Sequence, residues 1–390
     1  MGRLLIPSAA LLWGLQFALL NPALALLLVG LYGATAAQVG VVLAVYNLSG
    51  FLASLAIPAY ADRRRDYLWP MLGCGVLTLL LAAVLLVTSS LPVAVIGLLA
   101  FGGPAGVGIA LLFAQLSHSG ADRSEIVNTR AVFSFAWIAG PPLATLVMGW
   151  FGNRSVLAVL AVVAVLNIAT SAAMLAGRST AAPRPEVPQG AGAGPPMSRP
   201  TVALVVVAFV VVQATNNAVV SVMGLFVTKT LGLDVLWAGI ALGVAAGLEI
   251  PALLLLGRLG RRHSELRLIA SGCLAGIVYY AAMVFVTGPV LLLALQGLNA
   301  WFYATIAGAG MALFQRVIPR PGLATGLFFN TRRLGAIASG PIIGFGASTA
   351  LGYGLVFAVC AALTAAALGV IGLAARPRGR VAGPEQLAVQ

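Results

Sequence analysis

Residues 67–89 read YLWPMLGCGVLTLLLAAVLLVTS, 23 positions without one charged side chain. Coiled as a helix, such a run is roughly 34 Å long, enough to cross the ~30 Å hydrocarbon core of a bilayer. Working outward in both directions, similar apolar runs place spans at 5–30, 37–60, 67–89, 92–117, 127–150, 153–177, 201–227, 235–257, 265–287, 289–315, 322–347 and 351–375. Composition agrees: 61% of the 390 residues are hydrophobic and 8% charged, where a soluble domain carries about a quarter charged residues. A membrane barrel needs short segments of alternating polarity, and these runs are continuous and too long. The expected fold class is therefore all-α, a polytopic membrane protein of twelve transmembrane helices. The 46 glycines and 21 prolines suit that setting, because small residues let helices approach closely and neighbours satisfy freed backbone groups. The first run, despite Arg3 before it and Ala23-Leu24-Ala25 within it, is too long for a signal peptide and is read as span 1. Cys74, Cys273 and Cys360 fall in three separate spans, so they are read as packing residues, with no disulfide or metal spacing.

The net charge of +13 is distributed by side. Arg63, Arg64 and Arg65 lie between spans 2 and 3, Arg123 between 4 and 5, and Arg178, Arg184 and Arg199 between 6 and 7. Arg258, Arg261, Arg262 and Arg267 follow between 8 and 9, Arg316 and Arg320 between 10 and 11, and Arg376, Arg378 and Arg380 after span 12. The opposite side holds only Arg154 and Lys229. The positive-inside rule makes the arginine-rich side, with both termini, cytoplasmic. The basic balance thus reports topology and lipid surroundings, and no nucleic-acid partner is implied.

The Pro, Gly and Ala-rich segment 178–200 reads as a flexible cytoplasmic linker. It separates an N-terminal six-helix bundle, 1–177, from a C-terminal one, 201–375, followed by a tail, 376–390. Across the linker the halves echo one another. Gly108-Ile109-Ala110-Leu111 returns as Gly310-Met311-Ala312-Leu313, and Asn128-Thr129-Arg130 as Asn330-Thr331-Arg332 at the same offset. Gly140-Pro141 in span 5 has a counterpart, after a two-residue slip, in Gly340-Pro341 of span 11. Two related bundles around a midplane cavity is the architecture of many secondary transporters. No Walker A sequence is present, so no ATP motor is expected in the chain.

Here the residues resemble a known group. Ile57-Pro58-Ala59-Tyr60-Ala61-Asp62-Arg63-Arg64-Arg65 is similar to the loop motif after span 2 of the major facilitator superfamily, with Pro58 and Arg65 where that motif has glycines. Gly260-Arg261-Arg262 matches one end of the motif in the second half, with Gly257 in place of its aspartate. The resemblance implies a cytoplasmic gate latch for Asp62 and Arg63; anchoring at the lipid surface is the alternative. Within the superfamily, Ser134-Phe135-Ala136-Trp137-Ile138-Ala139-Gly140-Pro141-Pro142 and Ala245-Ala246-Gly247-Leu248-Glu249-Ile250-Pro251 resemble the bacterial sugar efflux transporters. So do Leu295-Gln296-Gly297-Leu298-Asn299-Ala300 and Phe329-Asn330-Thr331-Arg332-Arg333-Leu334-Gly335. The resemblance implies a bacterial inner-membrane exporter of sugars or glycosides, and a gating bend at Gly140 and Pro141, where proline removes a backbone donor.

Of nine acidic residues, only Glu249 lies well inside a predicted span. A carboxylate at mid-bilayer costs about 2.5–3.5 kcal/mol even on insertion scales, so Glu249 is expected to face a cavity, binding substrate hydroxyls, carrying a coupling proton, or both. A protonated carboxyl holding two helices together is the other reading. Neutral polar residues recur at helical spacing: Gln213, Asn216 and Asn217 on span 7; Gln296, Asn299 and Tyr303 on span 10; Trp13 and Gln16 on span 1. Gln115 in span 4 and Tyr46 with Asn47 in span 2 complete the candidate substrate contacts. Amides, a carboxyl and aromatic faces suit an uncharged polyol; helix–helix hydrogen bonds are the alternative for each residue. Arg130 and Arg332, repeat-equivalent at the arginine-rich ends of spans 5 and 11, are read as gate residues or as cations snorkelling to headgroups. The expectation is a monomeric, proton-antiporting sugar exporter without metal or other cofactor. A proton-coupled multidrug exporter is the alternative. An enzyme is not expected, because no paired intramembrane carboxylates, metal cluster or nucleophile–base pair is present.

Overall fold

The computed structural model describes residues 2–119, 123–177, 199–318, 321–346 and 352–375; residues 178–198 of the expected linker and the expected tail, 376–390, lie outside them, while Arg199 and Pro200 are already helical. The described chain is helical throughout. In chain order the spans are α1 (Gly2–Tyr32), α2 (Ala36–Arg64) and α3 (Leu68–Val87). The fourth, α4, is broken into Leu91–Gly97, a π-helical turn Leu98–Gly102, Gly103–Ala105 and Gly108–His118. Then come α5 (Arg123–Phe151), α6 (Ser155–Ala176), and α7 (Arg199–Leu225) with a π-helical end Phe226–Thr230. The second half continues with α8 (Leu236–Leu259), α9 (Glu265–Met283), α10 (Pro289–Ala294 and Gln296–Val317), α11 (Pro321–Gly346) and α12 (Gly354–Ala375). Eleven of these are long and apolar enough to cross a membrane; α11, 26 residues long, packs among them as the twelfth.

The helices form two bundles with the same internal packing. In the first, α1 lies on α5, α3 on α6, and α2 on α4; in the second, α7 lies on α11, α9 on α12, and α8 on α10. The sequence repeats have a packing cause. A side chain at Gly108 would collide with the Trp13 ring of α1, and one at Gly310 with the Phe209 ring of α7. Each glycine is therefore the slot that receives an aromatic side chain from the first helix of its own half. A further repeat appears in the turns opposite the arginine-rich end. Gly33, Gly152, Gly232 and Gly352 are all left-handed, one in each of the α1–α2, α5–α6, α7–α8 and α11–α12 connections. By contrast, Gly140 and Gly340 do different work: Gly140 packs on Ala18 of α1, whereas Gly340 packs across the halves on Gly40 and Ala44 of α2.

Polar side chains start the helices. Thr35 and Gln38 form a reciprocal capping box on α2, Asp66 accepts from the Leu68 and Trp69 amides at the start of α3, and Asp234 accepts from Leu236 at the start of α8. The end of α2 differs from expectation. The helix runs on to Arg64, so Asp62 and Arg63 occupy its last turn, and Arg65 closes it with φ 51°. That is the one left-handed non-glycine among the described residues. Left-handed backbone costs an L-residue about 1–2 kcal/mol, part of which glycine returns through the unfolded chain. Arg65→Gly should therefore raise the thermal midpoint in detergent by about 1–2 °C. An unchanged or lower midpoint in a thermal-shift assay would show that the arginine compensates through other contacts.

Candidate functional site

The two halves meet along three seams, α2 on α11, α5 on α8, and α1 on α7. All three are tightest toward the arginine-poor end. There Gly40 of α2 abuts the backbone of Gly340 and Gly344, such that a Cβ on Gly40 would lie 2.8 Å from the Gly344 nitrogen. On the pseudo-symmetric seam, Gly239 and Gly243 of α8 abut Pro141, Pro142, Thr145 and the Ile138 carbonyl of α5. Pro142 lacks the N–H that would bond that carbonyl within the helix, and the freed oxygen faces Gly243. Gly224 of α7 likewise abuts Leu26 of α1.

Toward the arginine-rich end the same faces part. On α8, Gly247 has nothing within 4 Å of where a Cβ would be, and Leu254, on the same stripe, is 67% exposed. On α2, Leu55 on the Gly40 stripe is 49% exposed. The boundary lies near Asn47, whose amide donates to Leu43 O at 2.8 Å and across the seam to Ala336 O at 3.2 Å. The result is a cleft between the halves, open at the arginine-rich end and closed beyond mid-membrane.

Glu249 stands nearly two turns past Gly243, the last closed position of the α5–α8 seam, partly exposed and two residues before Pro251. Farther along α8, Leu256 packs on Gly308 of α10. The two helices run in the same direction, so a seven-residue step back on both puts Glu249 level with Trp301 and close in depth to Tyr303. The Arg332 guanidinium on α11, itself exposed, is near enough for its charge to act on the carboxyl. An acid on α8 and a cation on α11 thus share one depth.

The other sequence-derived candidates divide. Tyr303, Asn216, Asn217, Asn47 and Gln115 are half-buried. Gln296 and Asn299 are instead inside the second bundle: Gln296 donates to Leu292 O at 2.9 Å and accepts from Asn299 at 3.2 Å. Gln213 is buried where Gly335 of α11 presses on its Cβ, and its carbonyl oxygen on the backbone receives the Asn217 amide at 2.7 Å. Trp13 is fully buried in the Gly108 slot, Gln16 is buried and accepts from Asn167 of α6 at 3.1 Å, and Tyr46 packs on Gly102. Asp62 is exposed and accepts from the Tyr67 hydroxyl at 2.7 Å, while Arg63 is exposed beside it. The Arg130 side chain lies outside the described residues. Buried Pro141 and Gly140 belong to the α5 packing faces already given, and the Pro141 carbonyl accepts from Thr145 at 3.0 Å. Sequence reasoning passed over Asn21, Thr78 and Asn167, isolated polar residues inside α1, α3 and α6; an amide at mid-span was the available signal.

Compared with known proteins, residues 8–337 match the family model described as Major Facilitator Superfamily. The chain is 33% identical over 378 residues to a putative sugar efflux transporter of Deinococcus radiodurans, covering 93% of this chain and 95% of that protein. It is 33% identical over 349 residues to sugar efflux transporter A of Dickeya chrysanthemi, covering 86% of each. Among solved structures, the nucleoside transporter NupG superposes with a TM-score of 0.77 at 14% identity, covering 96% of this chain and all of that one.

Proposed function

Because the chain belongs to the Major Facilitator Superfamily, we propose that it is a secondary transporter, not an enzyme, that exports sugars or sugar-like glycosides across the bacterial inner membrane in exchange for protons. One observation supports the reading: Glu249, an acid in the middle of the apolar helix α8, is partly exposed and lies within reach of the Arg332 charge, in a chain whose relatives are named sugar efflux transporters. An ionisable acid inside a membrane span is costly in lipid, so such residues usually face a cavity and serve binding or proton exchange. The half-buried amides Asn216 and Asn217, the Asn47 side-chain carbonyl and the Tyr303 ring supply neutral donors, acceptors and an aromatic face suited to hydroxyls and to the C–H side of a sugar ring.

With the arginine-rich end cytoplasmic, the cleft opens inward, and the Gly40–Gly340 and Gly239–Pro142 seams form the outer seal. Export then requires these seams to open while the cytoplasmic ends of α2, α5, α8 and α11 close. Asp62, Arg63 and Arg130 stand at or near those ends as the candidate inner gate, and Arg332, deeper along α11 at the level of Glu249, is the candidate that links the gate to the acid. The whole unit works as one chain, with lipid around it.

The test is flux from preloaded proteoliposomes of the purified protein, comparing a radiolabelled glycoside with a fluorescent lipophilic cation. Saturable movement of the glycoside alone is expected. Movement of the cation without the glycoside would replace sugar with lipophilic drugs as the substrate class.

A further inference from the structure

The first bundle holds a second, smaller feature that the cleft does not account for. At the break in α4 there is a pocket lined by Gln16, Phe17, Asn21, Tyr46, Thr78 and Leu81, closed on one side by the Gly102–Gly106 backbone. Asn21 and Tyr46 each stand about three turns from the arginine-poor ends of α1 and α2, which is mid-membrane depth. The pocket has room for about one water-sized group.

The break is what leaves this space. The π-helical turn Leu98–Gly102 releases carbonyls from the helix ladder, and the Ser49 hydroxyl takes up the Leu99 carbonyl at 2.6 Å. Gly102 lets α4 close on α2, where a Cβ would sit 3.0 Å from the Tyr46 ring and 3.2 Å from Leu81. Polar groups then face the void without protein partners. Tyr46 is 8% exposed, and among the described residues its hydroxyl has no hydrogen-bond partner. Gln16 is 4% exposed; its carbonyl is taken by Asn167, and its amide N–H groups have no acceptor among the described residues. Asn21, half-buried, likewise has no hydrogen-bond partner for its amide among the described residues. Polar groups of buried residues such as Tyr46 and Gln16 normally find a partner.

We propose that this pocket is a subsite for one primary alcohol arm, the exocyclic CH2OH of a sugar whose ring lies in the cleft. The proposal rests on the sugar reading above. The lining matches that arm in both parts: Phe17 and Leu81 for the methylene, and Tyr46, Gln16 and Asn21 for a hydroxyl that donates once and accepts twice. Ring hydroxyls sit directly on ring carbons, so they could not reach into a recess one group wide without bringing the ring with them.

The test is proteoliposome counterflow of methyl glucoside against methyl 6-deoxyglucoside, which differ only in that hydroxyl, by wild type, Tyr46→Phe and Gly106→Ala. Gly106 has ordinary helical φ −64°, and an added methyl would meet the Gly103 carbonyl oxygen at 3.2 Å and the Phe17 ring at 3.5 Å, narrowing the pocket at the cost of a shift of a few tenths of an ångström. Wild type is expected to favour the parent sugar by about tenfold, and both variants to lose most of that preference while still moving the 6-deoxy sugar. Retained 6-deoxy transport reports a folded protein. Equal wild-type transport of the two sugars, or variants that lower both in proportion, would overturn the subsite alone. A wild type that moves neither sugar would overturn the sugar reading and the subsite with it.

Discussion

Replacing Gly40 and Gly239 together by valine should trap the protein with its arginine-poor seams apart and cut transport by at least about tenfold. In the structure a Cβ at Gly40 meets only backbone, of Gly340 and Gly344, and one at Gly239 meets Thr145 and the backbone of Pro141 and Pro142. Backbone cannot rotate away as a flexible side chain would, so the helices must separate. Overpacking a close contact costs about 1–3 kcal/mol per site. The two sites lie on different seams, so the effects should add to about 2–6 kcal/mol against the closed seal. Inverting a population from 1:99 to 99:1 takes about 5.5 kcal/mol, which puts the double variant near complete reversal and each single variant at a partial shift. Reactivity of a cysteine at Ala44, beside Gly340, toward a membrane-impermeant maleimide is the readout. It should rise in the order wild type, single variants, double variant. Unchanged reactivity with normal transport would mean that the glycines serve folding alone.

The second large effect is expected at Glu249. Gln keeps the size and hydrogen bonding of the side chain but cannot release a proton, so Glu249→Gln should abolish transport driven by a pH gradient while sparing gradient-free counterflow. A gradient of ~2 pH units corresponds to about 2.7 kcal/mol per proton, which at one-to-one exchange supports roughly a 100-fold concentration ratio. That ratio is expected to fall to about one in the variant. Arg332→Gln, which removes the nearby cation without touching the carboxyl, should shift the pH at which transport is half-maximal but leave the final ratio intact. If Glu249→Gln responds to the gradient as wild type does, the proton travels by another route.

The helical architecture was legible because each span depends on a property of consecutive residues, an apolar run without charge, and the twofold organisation because the packing slots at Gly108 and Gly310 demand glycine in both halves. The site was legible only in part. Helical spacing grouped Gln296, Asn299 and Tyr303 on one side of α10, but spacing does not say what that side meets. Gln296 and Asn299 bond each other inside the bundle while Tyr303 stays partly open. Trp13 and Gln16 went the same way, toward Gly108 and Asn167. The seams were hidden because a glycine that admits a neighbouring backbone looks, in sequence, like one that admits a ring. Gly340 and Gly140 share a motif yet pack on different partners. The left-handed Arg65 left one trace, its place where the resembling loop motif has a glycine; nothing else in its neighbours required φ 51°.

The central claim is that the two halves rock about mid-membrane contacts, so that opening at one end accompanies closing at the other. Distances between spin labels test it directly. One pair would replace exposed Trp150 and Lys229 at the arginine-poor end, and another exposed Arg64 and Arg261 at the arginine-rich end. Cys74, Cys273 and Cys360 are buried and should not take the label. On adding a transported glycoside in lipid nanodiscs, the first distance should lengthen and the second shorten within the same population. Two distances that stay fixed, or that change in the same sense, would contradict alternating access by these halves.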